Sequence, residues 1–548
     1  MDLTLFGLSD IVVSLKATSL ANFFALLISF SLVMVLFLVP KYHLGKSFYA
    51  LLLLLTASLF LIVYANDYLL FFIGWEVMSI SSYFLLSFTL SKKALYKYII
   101  FAMASALSLF IAILMLYSTN HSFLYADAKE SFAAMTPVMG LVYTGLMLLA
   151  IFIKLGTIGF HYWLVDAYEE SQNLFTPFLS GVVSKMGVYA LIIFVVQVTQ
   201  PTYLLALMGV LTSIIATFKA IQEESAKRLL AYSSIAQLGY IVTVLALADG
   251  MGAALYHALI HTAVKVLLFI NVAGIIYVTG RSKFSELGGL IYRMPQSFVL
   301  LLIGIIALAG MPPLAGFASK FMIYTSLLDA KYLLILSAVM FSSASAFLYV
   351  YKLIYGIYLG HPSNKKLESV REVPLSFLIP QYIISLILIV IGIFPAFVVP
   401  YFNRIMDELE LKSIVYNNAS TLVSSYTQYN GLVVMGAFVA VFALVLLLFV
   451  SLRSKAKEAK DRFDIAYCGE EPHEGTHLHY GAGMGRELKR VGFIAIILKN
   501  SSCHFYDFLA KQTLALSELI RKIYSGKLSL NFNIAIIFVI ILFWWSLK

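Results

Sequence analysis

Seven ionisable residues sit inside otherwise apolar runs of this chain. His257, His261 and Lys265 are four residues apart in succession, so on a helix they share one face. Glu76 follows Leu69-Leu70-Phe71-Phe72-Ile73-Gly74-Trp75, and Lys154 follows Ala150-Ile151-Phe152-Ile153. Lys185 stands between Val182-Val183-Ser184 and Met186-Gly187, and Lys320 follows Ala309 through Phe317. A charge at the centre of a bilayer is costly, so each such residue has a structural or functional reason. A lone lysine near a helix end ordinarily snorkels, which is the reading for Lys219 and Lys352. A lone histidine on an apolar face is ordinarily a satisfied core residue. Three ionisable groups in two turns are different, because they repel or neutralise one another unless water or mutual contacts link them. The chemistry they offer is proton relay. Imidazole accepts and donates near neutrality. A carboxylate such as Glu76 holds a proton on a nearby lysine, and withdrawing its influence releases that proton.

The elements that position these groups are membrane helices. Of 548 residues, 61% are hydrophobic and only 12% charged, about half the charged share of a soluble domain. Soluble enzymes, disordered scaffolds and fibrous proteins are excluded. Apolar stretches of spanning length recur near 20–40, 47–65, 68–90, 96–117, 137–159, 175–198, 202–220, 229–247, 253–279, 296–310, 314–330, 332–358, 376–400, 430–451 and 530–547. They predict an all-α polytopic membrane protein of about fourteen or fifteen helices; the runs are continuous, unlike the alternating strands of a membrane barrel. Two cysteines, Cys468 and Cys503, exclude a disulfide framework and a Cys-ligated iron–sulfur cluster within the chain. Asp2, Asp10 and the lack of a basic start argue against a cleavable signal.

Basic residues set the expected orientation. Lys92, Lys93 and Lys97, then Arg281, Lys283 and Arg293, then Arg453, Lys455, Lys457, Lys460 and Arg462 mark the cytoplasmic side. Asp166, Glu169 and Glu170 run against that bias. The net charge of +10 is scattered among the spans and suits anionic lipid, not nucleic acid. Two apolar helices are interrupted beside a lysine, at Lys154-Leu155-Gly156-Thr157-Ile158-Gly159 and at Gly310 through Gly316 before Lys320. Interrupted helices with an ionisable residue at the break mark transporter sites and suggest two related halves. Residues 452–529 are the sizeable polar stretch, with a loop expected at Asp464–Gly485 and an interfacial amphipathic helix over about 487–523. Gly481 through Gly485 follows no strand, so dinucleotide binding is not indicated. His473, His477 and His479 with Cys468 match no strong zinc spacing, and no haem or flavin motif is present.

The motifs together resemble the antiporter-like subunits shared by respiratory complex I, Mrp antiporters and energy-converting [NiFe]-hydrogenases of the hydrogenase-4, formate hydrogenlyase or Ech type. The matching blocks are Gly74–Ser79 with Ser81-Ser82-Tyr83, Lys154 through Ala167, Pro177–Tyr189, Lys227–Ser234 with Gly239-Tyr240, His257–Lys265, Leu287–Leu290 and Ala309–Lys320. The resemblance implies two inverted five-helix repeats with broken helices and a hydrophilic axis at mid-membrane. It implies that Glu76 pairs with Lys154, that Lys185 leads to the centre, that His257, His261 and Lys265 form the central relay, and that Lys320 is the exit group. The glutamate comes earlier than is usual in the family, and Val165 replaces the family's usual proline. The amphipathic helix with a final span is similar to the lateral helix of the distal complex I subunit, and Asp464–Glu470 to the tail of hydrogenase-type members.

The organisation expected is an N-terminal helix region at 1–45, repeats at 46–200 and 201–360, further helices at 361–452, a cytoplasmic loop and interfacial helix at 453–529, and a final helix at 530–548. The function implied is proton or sodium translocation within an energy-converting oxidoreductase, with a membrane-bound [NiFe]-hydrogenase-type complex favoured as parent. A complex I subunit and an Mrp-type antiporter are the alternatives; a non-transporting scaffold is a further reading. This chain would hold no cofactor. [NiFe] and iron–sulfur clusters, or flavin, belong to partner subunits. The partners expected are other membrane subunits, a peripheral redox arm and lipid, and the location is a prokaryotic inner (plasma) membrane.

Overall fold

The structure, a computed structural model, describes residues 2–8, 11–199, 202–359, 367, 369–453, 490, 492 and 501–523. The loop expected at 464–485, the histidines 473, 477 and 479 with Cys468, and the span expected at 530–547 lie outside the described residues. The chain divides into two units, Met1–Arg490 and Val491–Lys548.

The first unit opens with an antiparallel hairpin, β1 (Asp2–Leu8) and β2 (Ile11–Lys16). Helices follow: α1 (Ser19–Leu36), α2 (Lys46–Tyr64), α3 (Tyr68–Ser87), α4 (Lys92–Asn120), α5 (Ala128–Ala133), α6 (Pro137–Leu155), α7 (Tyr162–Glu170), α8 (Thr176–Gly181) and α9 (Met186–Leu191). Then come α10 (Tyr203–Gln222), α11 (Ala226–Leu245), α12 (Met251–Thr279), α13 (Pro295–Ala309), α14 (Ala315–Asp329), α15 (Leu333–Ile354), α16 (Leu375–Ile393) and α17 (Val399–Glu408). A small antiparallel sheet, β3 (Tyr416–Asn418), β4 (Thr421–Val423) and β5 (Gln428–Asn430), precedes α18 (Gly431–Arg453). In the second unit α19 covers Ser501–Ile523, part of the amphipathic stretch expected over 487–523.

Twelve helices among the described residues are long and apolar enough to cross a membrane. In lipid the backbone must bond within its own segment, which is why apolar runs become helices. Their starts are written locally. The Thr18 hydroxyl accepts from Ala21 N at 3.0 Å and the Asp67 carboxylate from Leu70 N at 2.7 Å. α13 and α14 have 15 residues each, about 22 Å, short of the roughly 30 Å hydrocarbon core. The stretches at 296–310 and 314–330 are therefore one crossing in two pieces.

The inverted repeats are visible in the element order. α2, α3, α4, the broken pair α6–α7, and α8–α9 make five crossings; α10, α11, α12, the broken pair α13–α14, and α15 make five more. An odd number of crossings sets the second copy upside down relative to the first. The copies share detail. α4 and α12 both have 29 residues, and the fifth crossings end in π-helical turns at Ile192–Val196 and Tyr355–Leu359. Both broken helices stop at a glycine in the left-handed region, Gly156 at φ 66° and Gly310 at φ 73°.

Small residues let backbones close in where lipid gives no hydrophobic drive for helix pairing. A Cβ on Gly239 of α11 would stand 2.6 Å from the Gly209 carbonyl of α10. The crossing formed by α8 and α9, together with α11 and α12, is almost wholly buried, whereas α18 is exposed along most of its length.

Candidate functional site

The seven ionisable residues lie on α3, α6, the α8–α9 junction, α12 and α14, so both repeats contribute. Lys154 is in the last turn of α6, immediately before the Gly156 break, and is 4% exposed. Its Nζ donates to Ser79 Oγ at 3.1 Å and lies 5.3 Å from the centre of the Trp75 ring. At the break the Ile153 carbonyl accepts from Gly156 N at 3.2 Å and from the indole N–H of Trp163 on α7 at 2.8 Å. Glu76 interacts electrostatically with Lys154, one turn along α3 from the bonded serine. It is not within ion-pair distance among the described pairs, and its buried Oε1 has no hydrogen-bond partner.

Lys185 closes the 3-10 turn Val183–Lys185 between α8 and α9. That turn frees the Ser180 carbonyl, which accepts from Lys185 Nζ at 2.6 Å. The Ser180 hydroxyl meets Ser234 Oγ of α11 at 3.1 Å, linking the two repeats. Gly187 brings this crossing against α6, since a Cβ there would stand 2.7 Å from Leu155 Cγ. Lys185 interacts electrostatically with His257, His261 and Lys265 alike.

The α12 residues share one face, as their spacing predicts. Lys265 Nζ donates to Ser233 Oγ at 2.5 Å and to Leu230 O at 3.1 Å. The His261 ring has no partner at either nitrogen and lies parallel to His257 at 6.2 Å. His257 is held at both ends, Nδ1 by Ser319 Oγ at 3.1 Å and Nε2 by Gln237 Oε1 at 3.0 Å. Lys320 follows Ser319 on α14. Its Nζ donates to Ala309 O and Ser343 Oγ, both at 2.6 Å, and lies 5.8 Å from the Tyr240 ring centre. The Ala309 carbonyl is the one freed by the Gly310 break. Lys320 thus caps a broken helix, whereas Lys154 precedes one; the repeats place their lysines on opposite sides of the interruption.

The sequence did not single out the hydroxyl and amide partners Ser79, Ser180, Ser233, Gln237, Ser319 and Ser343. Doublets such as Ser233-Ser234 and Ser342-Ser343 inside apolar helices were the available signal. Lys352 is a correction. It does not snorkel: it is fully buried and donates to Ile221 O in the last turn of α10 at 3.0 Å. The acidic residues Asp166, Glu169 and Glu170 are likewise accounted for. Asp166 is bridged by Lys97 at 2.6 Å and Arg228 at 3.2 Å, Glu169 accepts from Ser225 and Glu170 from Ser91. Among the described residues no group of three His, Cys, Asp or Glu is arranged to hold a metal ion.

Comparison with known proteins places this architecture. Over 421 residues the chain is 27% identical to Na(+)/H(+) antiporter subunit A1 of Staphylococcus epidermidis, covering 70% of this chain and 52% of that one. The chain thus spans about half the length of that relative. It is 29% identical to NADH-quinone oxidoreductase subunit N of Moorella thermoacetica over 363 residues, covering 64% of this chain and 75% of that one. Among solved structures, a chain of the membrane-bound sulfane sulfur reductase (MBS), an archaeal respiratory membrane complex, matches with TM-score 0.87 and 26% identity over 99% of this chain and 91% of that one. A chain of respiratory complex I from Thermus thermophilus matches at TM-score 0.66 and 20% identity over 75% and 88%. The family described as NADH:quinone oxidoreductase/Mrp antiporter, transmembrane, matches residues 65–346, which include all seven ionisable positions. This chain is a multi-pass, antiporter-like membrane subunit and belongs to that family.

Proposed function

We propose that the chain is the proton-translocating subunit of an energy-converting respiratory oxidoreductase of the membrane-bound hydrogenase and MBS kind. The observation that carries this is the buried file Lys154, Lys185, Lys265, His261, His257 and Lys320, running from one broken helix to the other. Each lysine on it bonds a neutral hydroxyl or carbonyl and, among the described residues, none stands in a close ion pair, so protons can leave without abandoning a fixed counter-charge. Glu76 is the group whose distance from Lys154 tunes the first step. Residues 46–200 and 201–360 act as two half-channels joined at Lys185 and Lys265. Redox chemistry resides in partner subunits carrying [NiFe] and iron–sulfur clusters, and a peripheral arm delivers the driving pulse. The MBS match over 99% of the chain supports this parent, against 75% for the complex I chain.

The test is purification of the tagged chain from native membranes with its partners, followed by metal analysis and reconstitution. Nickel and iron with hydrogen- or sulfur-driven proton uptake, lost in Lys154→Ala without loss of assembly, is the expected result. A flavin-bearing NADH module instead assigns the chain to complex I. Metal-free membrane partners assign it to a secondary antiporter.

A further inference from the structure

Beyond the axis, the first repeat holds a buried aromatic column that meets the relay only at its inner end, where Trp75 faces Lys154. It begins at a cavity of about 480 Å³ between β2, α2 and the α9 crossing, lined by Lys16, Asn66, Tyr125, Tyr189, Gln197 and Glu408. A further pocket of about 330 Å³ shares Tyr125, Gln197 and Glu408 with it. Both lie on the face opposite the basic loops. Behind Tyr125, with ring centres 4.7 Å apart, stands Tyr68, 1% exposed. The hydroxyls of Tyr68 and Tyr125 are both buried and have no protein partner. Buried hydroxyls are almost always bonded, and for Tyr125, which lines the cavity, water can be the partner.

The next layer inward is Phe71, fully buried, packed on Phe194 at 4.8 Å and stacked on Tyr189 at 6.4 Å. Beyond it, at 5.6 Å, is Trp75, whose indole N–H is also unpartnered and whose ring faces Lys154 Nζ at 5.3 Å. The column therefore has polar hydroxyls at its outer end and a cation at its inner end, with the apolar rings of Phe71 and Phe194, the latter 4.8 Å from Tyr68, before Trp75. Asp67 beside it is not a free acid: its two oxygens are taken by Leu70 N and Ser14 N.

Resting on the translocation reading above, we propose that the first repeat has its own proton port on this face, with Tyr125 at its lining, Tyr68 as the hydroxyl behind it, and Phe71 as the hydrophobic gate that separates them from Lys154. A hydrophobic constriction blocks conduction by excluding water. A ring displacement at Phe71 joins the cavity to Lys154 through Trp75, and the proton passes along water and hydroxyls with no covalent change. The repeat then discharges locally, without passing every proton along the axis to Lys320.

The experiment uses the whole complex in liposomes, with passive proton influx read after an acid pulse. Phe71→Ala is expected to raise the passive influx about tenfold, equivalent to about 1.4 kcal/mol of barrier. Phe71→Leu keeps the gate closed. Phe48→Ala, an equally buried ring on α2 against Tyr49 and Phe88, is expected to leave the influx unchanged. A second measurement keeps Phe71 intact. In a background of Cys468→Ser and Cys503→Ser, an impermeant thiol reagent added to this face should label Tyr125→Cys and not Ser79→Cys. Equal influx in Phe71→Ala and wild type, equal leaks in Phe71→Ala and Phe48→Ala, or an unreactive Tyr125→Cys overturns the port. If any of these occurs while Lys154→Ala still abolishes pumping, the port falls and the translocation reading stands. Full pumping by Lys154→Ala removes both.

Discussion

Lys320 and Lys352 are both buried lysines bonded to a carbonyl at a helix end, yet they differ in what else they touch. Lys320 meets Ser343 and directly follows Ser319, the α14 residue that holds His257, so it adjoins the proposed relay. Lys352 meets Ile221 O and the Phe284 ring, and serves the C-terminus of α10. Lys320→Met is therefore expected to abolish coupled proton translocation, while Lys352→Met retains at least half of it. Proton uptake by reconstituted complexes, normalised to assembled subunit, checks the pair. Gln237 gives a finer test, because it fixes His257 through Nε2. Gln237→Leu leaves that nitrogen unpaired, at about 1–3 kcal/mol. It is expected to slow translocation about tenfold, with Gln237→Asn only partly restoring it, since the shorter amide stops short of the ring.

At the scale of elements, the broken helices carry the strongest constraint. Gly310 takes a left-handed backbone, and any Cβ there would run into the Lys320 side chain. The conformation alone costs an L-residue about 1–2 kcal/mol. Gly310→Ala is expected to lower the melting temperature of the purified complex and to reduce translocation more than stability alone explains. Gly145 is the comparison: it lies within α6, with nothing within 4 Å of a Cβ. Gly145→Ala should be neutral or stabilising by up to about 1 kcal/mol. The α10–α11 contact behaves like Gly310 for a different reason, since Gly239 abuts backbone. Gly239→Val is expected to prevent stable insertion, read as loss of the subunit from membranes.

At the scale of the whole molecule, the repeats are tied on their basic face by Asp166 of α7, which is bridged by Lys97 of α4 and by Arg228 of α11. Arg228 also meets Glu223 at 2.8 Å. These pairs are partly exposed, so each is worth no more than about 1 kcal/mol. Asp166→Asn is expected to lower the melting temperature by a few degrees at low salt, with the difference shrinking in high salt as screening rises. The largely exposed apolar surface of α18 and the amphipathic helix α19 belong to the same scale: they have more apolar surface than the described residues cover. Deleting residues after Gly485 is expected to destabilise the assembled complex on native gels more than it changes ion affinity.

The sequence by itself determined the membrane helices, the two glycine-marked interruptions and the shared face of His257, His261 and Lys265, because hydrophobic run length, left-handed glycine and helical period are local properties of the chain. It also pointed to Lys154, Lys185, His257, His261, Lys265 and Lys320, all of them buried in the structure, since the bilayer makes a misplaced charge conspicuous. Tertiary structure alone decided how those charges are satisfied. Whether Lys352 points to lipid headgroups or into the core, whether Glu76 touches Lys154, and which serine holds which lysine depend on contacts between helices tens to hundreds of residues apart. A serine in an apolar helix carries no cost that reveals it, because it can bond its own backbone one turn back; only packing shows which serines turn outward to a partner. The same holds for Phe71, one apolar ring among many in the sequence, and distinguishable only by standing between an unpartnered pair of tyrosines and Lys154.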